Sequence, residues 1–363
     1  MLKSCSAAAP TLANLGNGGL NMTTNRIQSN NSDIMKLLYQ SYLPRILNCA
    51  IEINVFEVLS QDALQLSELS ERLKTVETIT GALLDVLVAI ELVTRQENRY
   101  SLTQKGKDFF LSGSAANLVN VVKGFPGSAG PFDNLTQVLQ KGAPDFNSRM
   151  WGNRESILNM EQQQNGGAIQ AVLSFISEIP EFGTCKKMCD FAGSIGYFSF
   201  ALMQENQQLK SHVYDLPEVC ALAVKIKENE ENYNRITYHD FDIASGESFG
   251  NGYDLFFSSH FLYGLNAEGT LSDFFKKVNR SMEPGGLFIS NHITSEKQRK
   301  NSLTLSIIEL MTRSMGYPTH MLPEDDLKSA LSRAGFKTFR TKYLEKEMPY
   351  PTLLLAAVKT EEM

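Results

Sequence analysis

The sequence predicts an α/β chain: a Rossmann-like, mostly parallel sheet ending in an antiparallel hairpin, preceded by a helical module of winged-helix outline. Three observations predict it. After Gly183, short strand-like runs alternate with helical segments, the grammar of a doubly wound parallel sheet. The final stretch runs helix, strand, strand, so its last pair is an antiparallel hairpin at the sheet edge. The first third is helix after helix, closed by two short strand candidates.

In order, residues 1–32 are rich in Asn, Ser, Gly, Ala and Thr, a composition that cannot bury a core, and are expected to be disordered. They lack the charged start and apolar centre of a secretory signal, and Met22 is a candidate natural start. Residues 33–150 form the helical module. "IMKLLYQSYLPRILNCAIEINVFEVL" repeats apolar residues at three- and four-residue spacing. "LQLSELSERL" sets a small polar residue ahead of a periodic helix, as an N-cap. "TITGALLDVLVAIELV" is nearly all apolar, hence a buried helix. "TRQENRYSLTQKGKDFF" gives two short strands across polar turn residues, then a helix. Residues 151–363 form the second domain. Its opening helix, "SILNMEQQQNGGAIQAVLSFISEI", is interrupted at Gly166-Gly167. The strands are "KKMCDFA", "SHVYDLP", "NRITYHDFDI", "GYDLFFSSHFL" and "GGLFISNHI", the last after a tight Glu283-Pro284-Gly285-Gly286 turn. "LKSALSRAGFKTFRTKYLEKEMPYPTLLLAAVKT" supplies the closing helix and hairpin.

Bulk properties narrow the function. A net charge of −6 with no basic helix disfavours DNA contact, which a winged-helix outline would otherwise raise. No apolar run is long enough to span a bilayer. Five scattered cysteines read as reduced thiols of a cytoplasmic chain. Cys185 and Cys189 lack the second pair that a zinc site needs, so no metal is expected.

The chemistry begins at "DFAGSIGYF". A strand ending in Asp190 meets a small-residue loop with Gly193 and Gly196, then a helix, so a ligand can approach the backbone closely. Alone the loop is ambiguous. The next strand ends in Asp215, 22 residues after Gly193, where an acid can hold both hydroxyls of a ribose, with Leu216 beside it. The strand after that ends in "HDFD", offering Asp240 to an adenine amino group and Phe241 for stacking. Each acid alone is also what a strand-end turn would use; three after three consecutive strands indicate a nucleoside site. The loop lacks the Gly-x-Gly-x-x-Gly of a dinucleotide site. S-adenosylmethionine, which carries a carboxylate and a sulfonium in place of a pyrophosphate, suits the looser turn and the acidic rim.

"YDLPEV" (Tyr214–Val219), "HDFD", "MEPGG" and "AGF" (Ala334–Phe336) resemble, in order and spacing, the plant-type small-molecule O-methyltransferases, the family of caffeate and acetylserotonin methyltransferases and of many bacterial natural-product enzymes. "AIEINVFEVL", "LSELSERL" and "NRYSLTQKG" resemble that family's dimerisation module, and the resemblance runs from about Lys36 to Lys359. It implies a class I methyltransferase domain, S-adenosylmethionine as cofactor, a small-molecule acceptor and an intertwined homodimer. By motif position Gly193 lies in the cofactor loop, Asp215 at the ribose acid, and Asp240 and Phe241 at the adenine contacts.

The departures concern catalysis. Counting from Asp254, the family's catalytic His position holds Tyr263, and Gly264-Leu265 replace Asp-Trp. The two acids that position that His correspond to His292 and to about Met321, beside His320. A hydroxyl acceptor must lose a proton, so a base helps; a thioether has none to lose. Absence of the base therefore favours S-methylation of a thioether acid, such as the 4-methylthio-2-hydroxybutyrate methylated by a family member in dimethylsulfoniopropionate synthesis. The aromatic Tyr263 would tolerate the cationic product. Arg313, Arg149 or Arg154 would hold the carboxylate, with Met311 beside Arg313 on the same helix. The alternative is O-methylation with His292 or His260, one helical turn before Tyr263, as base. A third reading, of another class, is a winged-helix regulator that binds the cofactor as a signal.

Overall fold

A computed structural model describes residues 29–125, 132–145, 153–242, 248–294, 302–344 and 347–360. The chain divides into two compact units, residues 1–43 and 44–363. In the first, α1 (Ser32–Gln40) buries no residue and leaves Ile34, Leu37, Leu38 and Tyr39 more than half exposed.

Helices α2 (Leu43–Glu52) and α3 (Val55–Leu59) come next, separated at Asn54, whose φ of 60° ends the first helical run. Strand β1 (Leu64–Gln65), helices α4 (Leu66–Leu73) and α5 (Glu77–Ala89), the hairpin β2 (Val93–Gln96) and β3 (Arg99–Leu102), and helix α6 (Gln104–Phe110) follow. The wing has three strands in the order β1-β3-β2, one more than the sequence predicts. Helix α4 is capped by Glu68, whose carboxylate accepts the Gln65 N–H at 2.8 Å, rather than by a small polar residue. Helix α5 corrects a second expectation. Thr80, Leu84 and Leu87 are buried, but Ile79 and the preceding Val76 are 69% and 63% exposed. One face covers the domain core, and the other lies on the protomer surface.

Helices α7 (Val119–Gly124), α8 (Leu135–Lys141), α9 (Arg154–Asn165) and α10 (Ala168–Ser177) come next, with the α9–α10 break at Gly166-Gly167 as expected. The sheet domain then runs β4 (Lys187–Phe191), α11 (Tyr197–Glu205), β5 (Lys210–Asp215), α12 (Pro217–Lys227), β6 (Ile236–Asp240), β7 (Tyr253–Ser259), α13 (Tyr263–Ala267), α14 (Leu271–Ser281), β8 (Met282–Ile293), α15 (Leu303–Ser314), α16 (Glu324–Arg333), β9 (Phe336–Leu344) and β10 (Thr352–Lys359). Its order is β6-β5-β4-β7-β8-β10-β9. The first five strands are parallel, and β10 is antiparallel to both β8 and β9. The sheet is thus mostly parallel with an antiparallel C-terminal hairpin. The Glu283–Gly286 turn lies inside β8 as an irregularity against β7, with Gly285 at φ 78°.

Alternating strand residues feed two cores. Met188, Val213, Leu255, Phe257 and Ile289 pack with α10 and α11, and Cys189, Phe256 and Phe288 pack with α13, α14 and α16. The cores fix where the carboxyl ends of β4 to β8 converge, and the crevice of such a sheet lies there. No described helix is long and apolar enough to cross a membrane.

Candidate active site

Strand β4 brings Asp190 to its carboxyl end, 1% exposed. Its carboxylate accepts the Ser199 hydroxyl at 2.6 Å, and Ser199 lies 2.7 Å from the Ser211 hydroxyl. Burial pushes Asp190 up to about 7, against the Ser199 bond and helped by the charge of Asp215. The acid therefore acts from beneath the loop rather than on its rim. A Cβ on Gly193 would stand 2.5 Å from Asp190 Cγ, so only glycine lets the backbone lie on that carboxylate. Gly196 caps α11 at φ 81°, and a Cβ there would meet Ile236 Cδ1 at 2.8 Å. Ala192 and Ser194 are also left-handed, with φ of 55° and 53°. Nothing in their residue types announces that strain, which such segments store at functional sites.

Asp215 closes the loop from β5. Its two oxygens accept the N–H groups of Ser194 and Leu216, both at 2.8 Å. Burial raises it to about 6, opposed by those two bonds. Asp240 is its register partner on β6 and is exposed. The Phe241 N–H donates to the Asp215 carbonyl at 2.8 Å. The Phe241 ring is only 8% exposed, with the rings of Phe191, Tyr214 and Phe249 within 6.0 Å. The ring is packed in the aromatic core, with little of its face open to a stacking adenine. A glycine-lined cradle with paired acids at two strand ends fits a cationic nucleoside cofactor.

Beyond the loop lies a second constellation, joined to it where Phe261 meets Phe191 at 5.2 Å. His260 follows β7 in a left-handed turn at φ 54°, its N–H on the Asn291 carbonyl, rather than in a helix before Tyr263. Tyr263 is fully buried. Its hydroxyl accepts the Ile293 N–H at 2.6 Å and lies 2.9 Å from His260 Nδ1. His292 on β8 is 1% exposed, its Nδ1 3.4 Å from the Ser290 hydroxyl. The Nε2 atoms of His260 and His292 are shielded from solvent with no hydrogen-bond partner among the described residues. Burial lowers His260 to about 4, with the charge of His320 adding to it, and lowers His292 to about 3. Both are neutral at physiological pH.

His320 completes the group, its ring 5.2 Å from those of both Tyr263 and Tyr317. Its Nδ1 bonds the Thr312 hydroxyl, and burial lowers its pKa. Glu309 on α15 accepts the His320 N–H at 2.7 Å and the Thr319 hydroxyl, fixing that loop. Gly264, where the family carries Asp, leaves room for Tyr317, whose hydroxyl accepts the Gly264 N–H at 3.2 Å. Glu309, Thr312, Tyr317 and Tyr350, whose ring meets His260 edge-on, escaped the sequence reading. The one signal was Glu309 four residues before Arg313 on a helix.

The anion-binding expectations fare less well. The Arg313 side chain is 62% exposed and its Nε lies 3.3 Å from Glu309, so it is a surface partner of that acid. Met311 is half-buried on α15, next to Thr312. Arg154 opens α9, and Arg149 lies outside the described residues. Among the described residues no cluster of three or more His, Cys, Asp or Glu is arranged to hold a metal ion.

Two family models match the chain: an O-methyltransferase dimerisation domain over residues 35–112 and an O-methyltransferase domain over 138–337. Similar curated proteins include an uncharacterized protein of Methanocaldococcus jannaschii, 26% identical over 70% of this chain and 67% of its own length. Another is the tetracenomycin polyketide synthesis 8-O-methyl transferase of Streptomyces glaucescens, 23% identical over 85% of this chain and 92% of its own. Among solved structures, human N-acetylserotonin methyltransferase in complex with SAM matches with a TM-score of 0.69 at 18% identity, over 92% of this chain and all of that one. The pyocyanin biosynthetic protein PhzM matches with a TM-score of 0.72 at 14% identity, over 91% and 98%. The chain belongs to the S-adenosylmethionine-dependent O-methyltransferase family.

Proposed function

We propose that this methyltransferase acts on a hydroxyl of a small organic acceptor, with His292 Nε2 receiving the hydroxyl proton. S-adenosylmethionine, when bound, supplies a methyl group already activated by a sulfonium. The chain's own tasks are to seat the acceptor in line, exclude water and take up one proton. The observation that carries the reading is the unpartnered, solvent-shielded Nε2 of a neutral His292, at a position where the family places an acid. The Leu322 backbone is the one influence raising the His292 pKa, and Nε2 has no partner. An Nδ1–H tautomer, with Nδ1 3.4 Å from the Ser290 hydroxyl, would leave Nε2 as the bare lone pair that the reaction needs. A weak base is adequate, because the oxygen becomes strongly acidic as its bond to the methyl forms.

S-methylation of a thioether acid is the second reading. Tyr263 in place of the family's His favours it, since its hydroxyl is held by Ile293 and His260. The pairing of Arg313 with Glu309 counts against it, because one of the candidate cations for the substrate carboxylate is already engaged. Turnover of phenols, with His292→Ala lowering kcat at least about 10²-fold while cofactor affinity holds, is the expected result. Release of S-adenosylhomocysteine with thioether acids alone would replace the first reading by the second.

A further inference from the structure

The Tyr263 hydroxyl stands at the family's base position, yet its bonding excludes it from that role. The Ile293 N–H can only donate, so at 2.6 Å it occupies a lone pair of the Tyr263 oxygen. The phenolic proton then has one described partner, His260 Nδ1 at 2.9 Å. Full burial of Tyr263 keeps that proton in place. A neutral imidazole that accepts on Nδ1 carries its own proton on Nε2. The opposite arrangement, with Nδ1–H donating to Tyr263, would strand the phenolic proton in the core.

We infer that Tyr263 is a positioning residue that fixes His260 as an Nε2–H donor, and that the acceptor carries a hydrogen-bond-accepting oxygen, of carbonyl type, beside the hydroxyl that is methylated. The inference rests on the O-methylation reading for its substrate half. His260 and His292 present the only two imidazole nitrogens among the described residues that are shielded and unpartnered, and the Tyr263 hydroxyl bridges the His260 ring to the Ile293 N–H that follows His292. On the O-methylation reading one is a donor and the other an acceptor. A hydroxyl flanked by a carbonyl offers the complementary pair, its proton to His292 and its carbonyl oxygen to His260. The left-handed turn at His260, φ 54°, is held by its N–H on the Asn291 carbonyl at 2.8 Å, and it sets where the donor stands. This reassigns His260 from candidate base to orienting donor.

Two measurements test it. In the wild-type protein, ¹⁵N-detected imidazole spectra of the His260 ring should show Nε2–H and a bare Nδ1, and Tyr263→Phe should give a mixture of tautomers. In kinetics, 2-hydroxyacetophenone should be preferred over 2-ethylphenol at least tenfold in kcat/KM, the discrimination that one unpaired buried donor gives. Tyr263→Phe should shrink that preference to within about threefold. An Nδ1–H tautomer in the wild type overturns the positioning role, whether or not the variant folds. A retained tenfold preference in folded Tyr263→Phe overturns the link to substrate choice. If neither phenol reacts while the Nε2–H tautomer is present, the O-methylation reading fails, and the substrate half with it, while the positioning role stands.

Discussion

At the scale of single residues, two acids of the loop and three imidazoles of the second constellation are held away from their ordinary protonation. Asp190 is raised to about 7 and Asp215 to about 6, both by burial. A carboxyl whose folded pKa lies above its unfolded value binds extra protons in the native state. The stability it confers is present at low pH and is lost as pH rises through the folded value. The cofactor-free protein should therefore melt lower as pH climbs from about 4 to about 7. The cofactor's cation favours the ionised acids, so its affinity should rise with pH, by up to roughly tenfold between pH 6 and pH 8. Titration calorimetry reads this directly, and Asp190→Asn should flatten the upper part of the slope. A pH-independent affinity would mean that Asp190 is ionised throughout. The imidazoles follow the opposite logic: burial keeps them neutral, and they act by hydrogen bonding.

At the scale of elements, the β4–loop–α11 unit shows how much was legible in the sequence. The strand, the small-residue loop and the helix were visible in "DFAGSIGYF", and so were the acids ending the next two strands. Hidden were the left-handed Ala192 and Ser194, the turn of Asp190 beneath the loop, and the burial of Phe241, because these depend on contacts across strands. The same limit explains the second constellation. Tyr263, His292 and His320 come from separate elements, and the Glu309 that fixes the His320 loop lies 11 residues away on α15. Gly193→Ala should destabilise the fold by about 1–3 kcal/mol, by overpacking against Asp190, and weaken cofactor binding. Gly196→Ala should cost about 1–2 kcal/mol through its left-handed backbone. Chemical denaturation with and without cofactor separates the two effects. A wild-type cofactor affinity in Gly193→Ala would remove that glycine from the cradle.

At the scale of the whole molecule, the apolar pattern of α5 was legible but its burial was misjudged. A nearly all-apolar helix reads as core, whereas here one face, with Ile79 and the preceding Val76, is exposed on the protomer. The helix lies within the dimerisation domain, so two chains are expected to share it. Val76→Asp with Ile79→Asp should leave the protomer folded but shift its sedimentation mass from twice the chain value to the 40.5 kDa of one chain. A wild-type protein that sediments as a single chain would contradict this. Fold, cofactor and family converge on methyl transfer, and the proposed role of His292 concerns the acceptor atom. The most direct test is S-adenosylhomocysteine release from the purified protein with a matched panel of phenol, catechol, thiol and thioether-acid acceptors. Turnover of hydroxyl acceptors that collapses in His292→Ala is the predicted result. Turnover confined to a thioether, or hydroxyl turnover unchanged by His292→Ala, would contradict it.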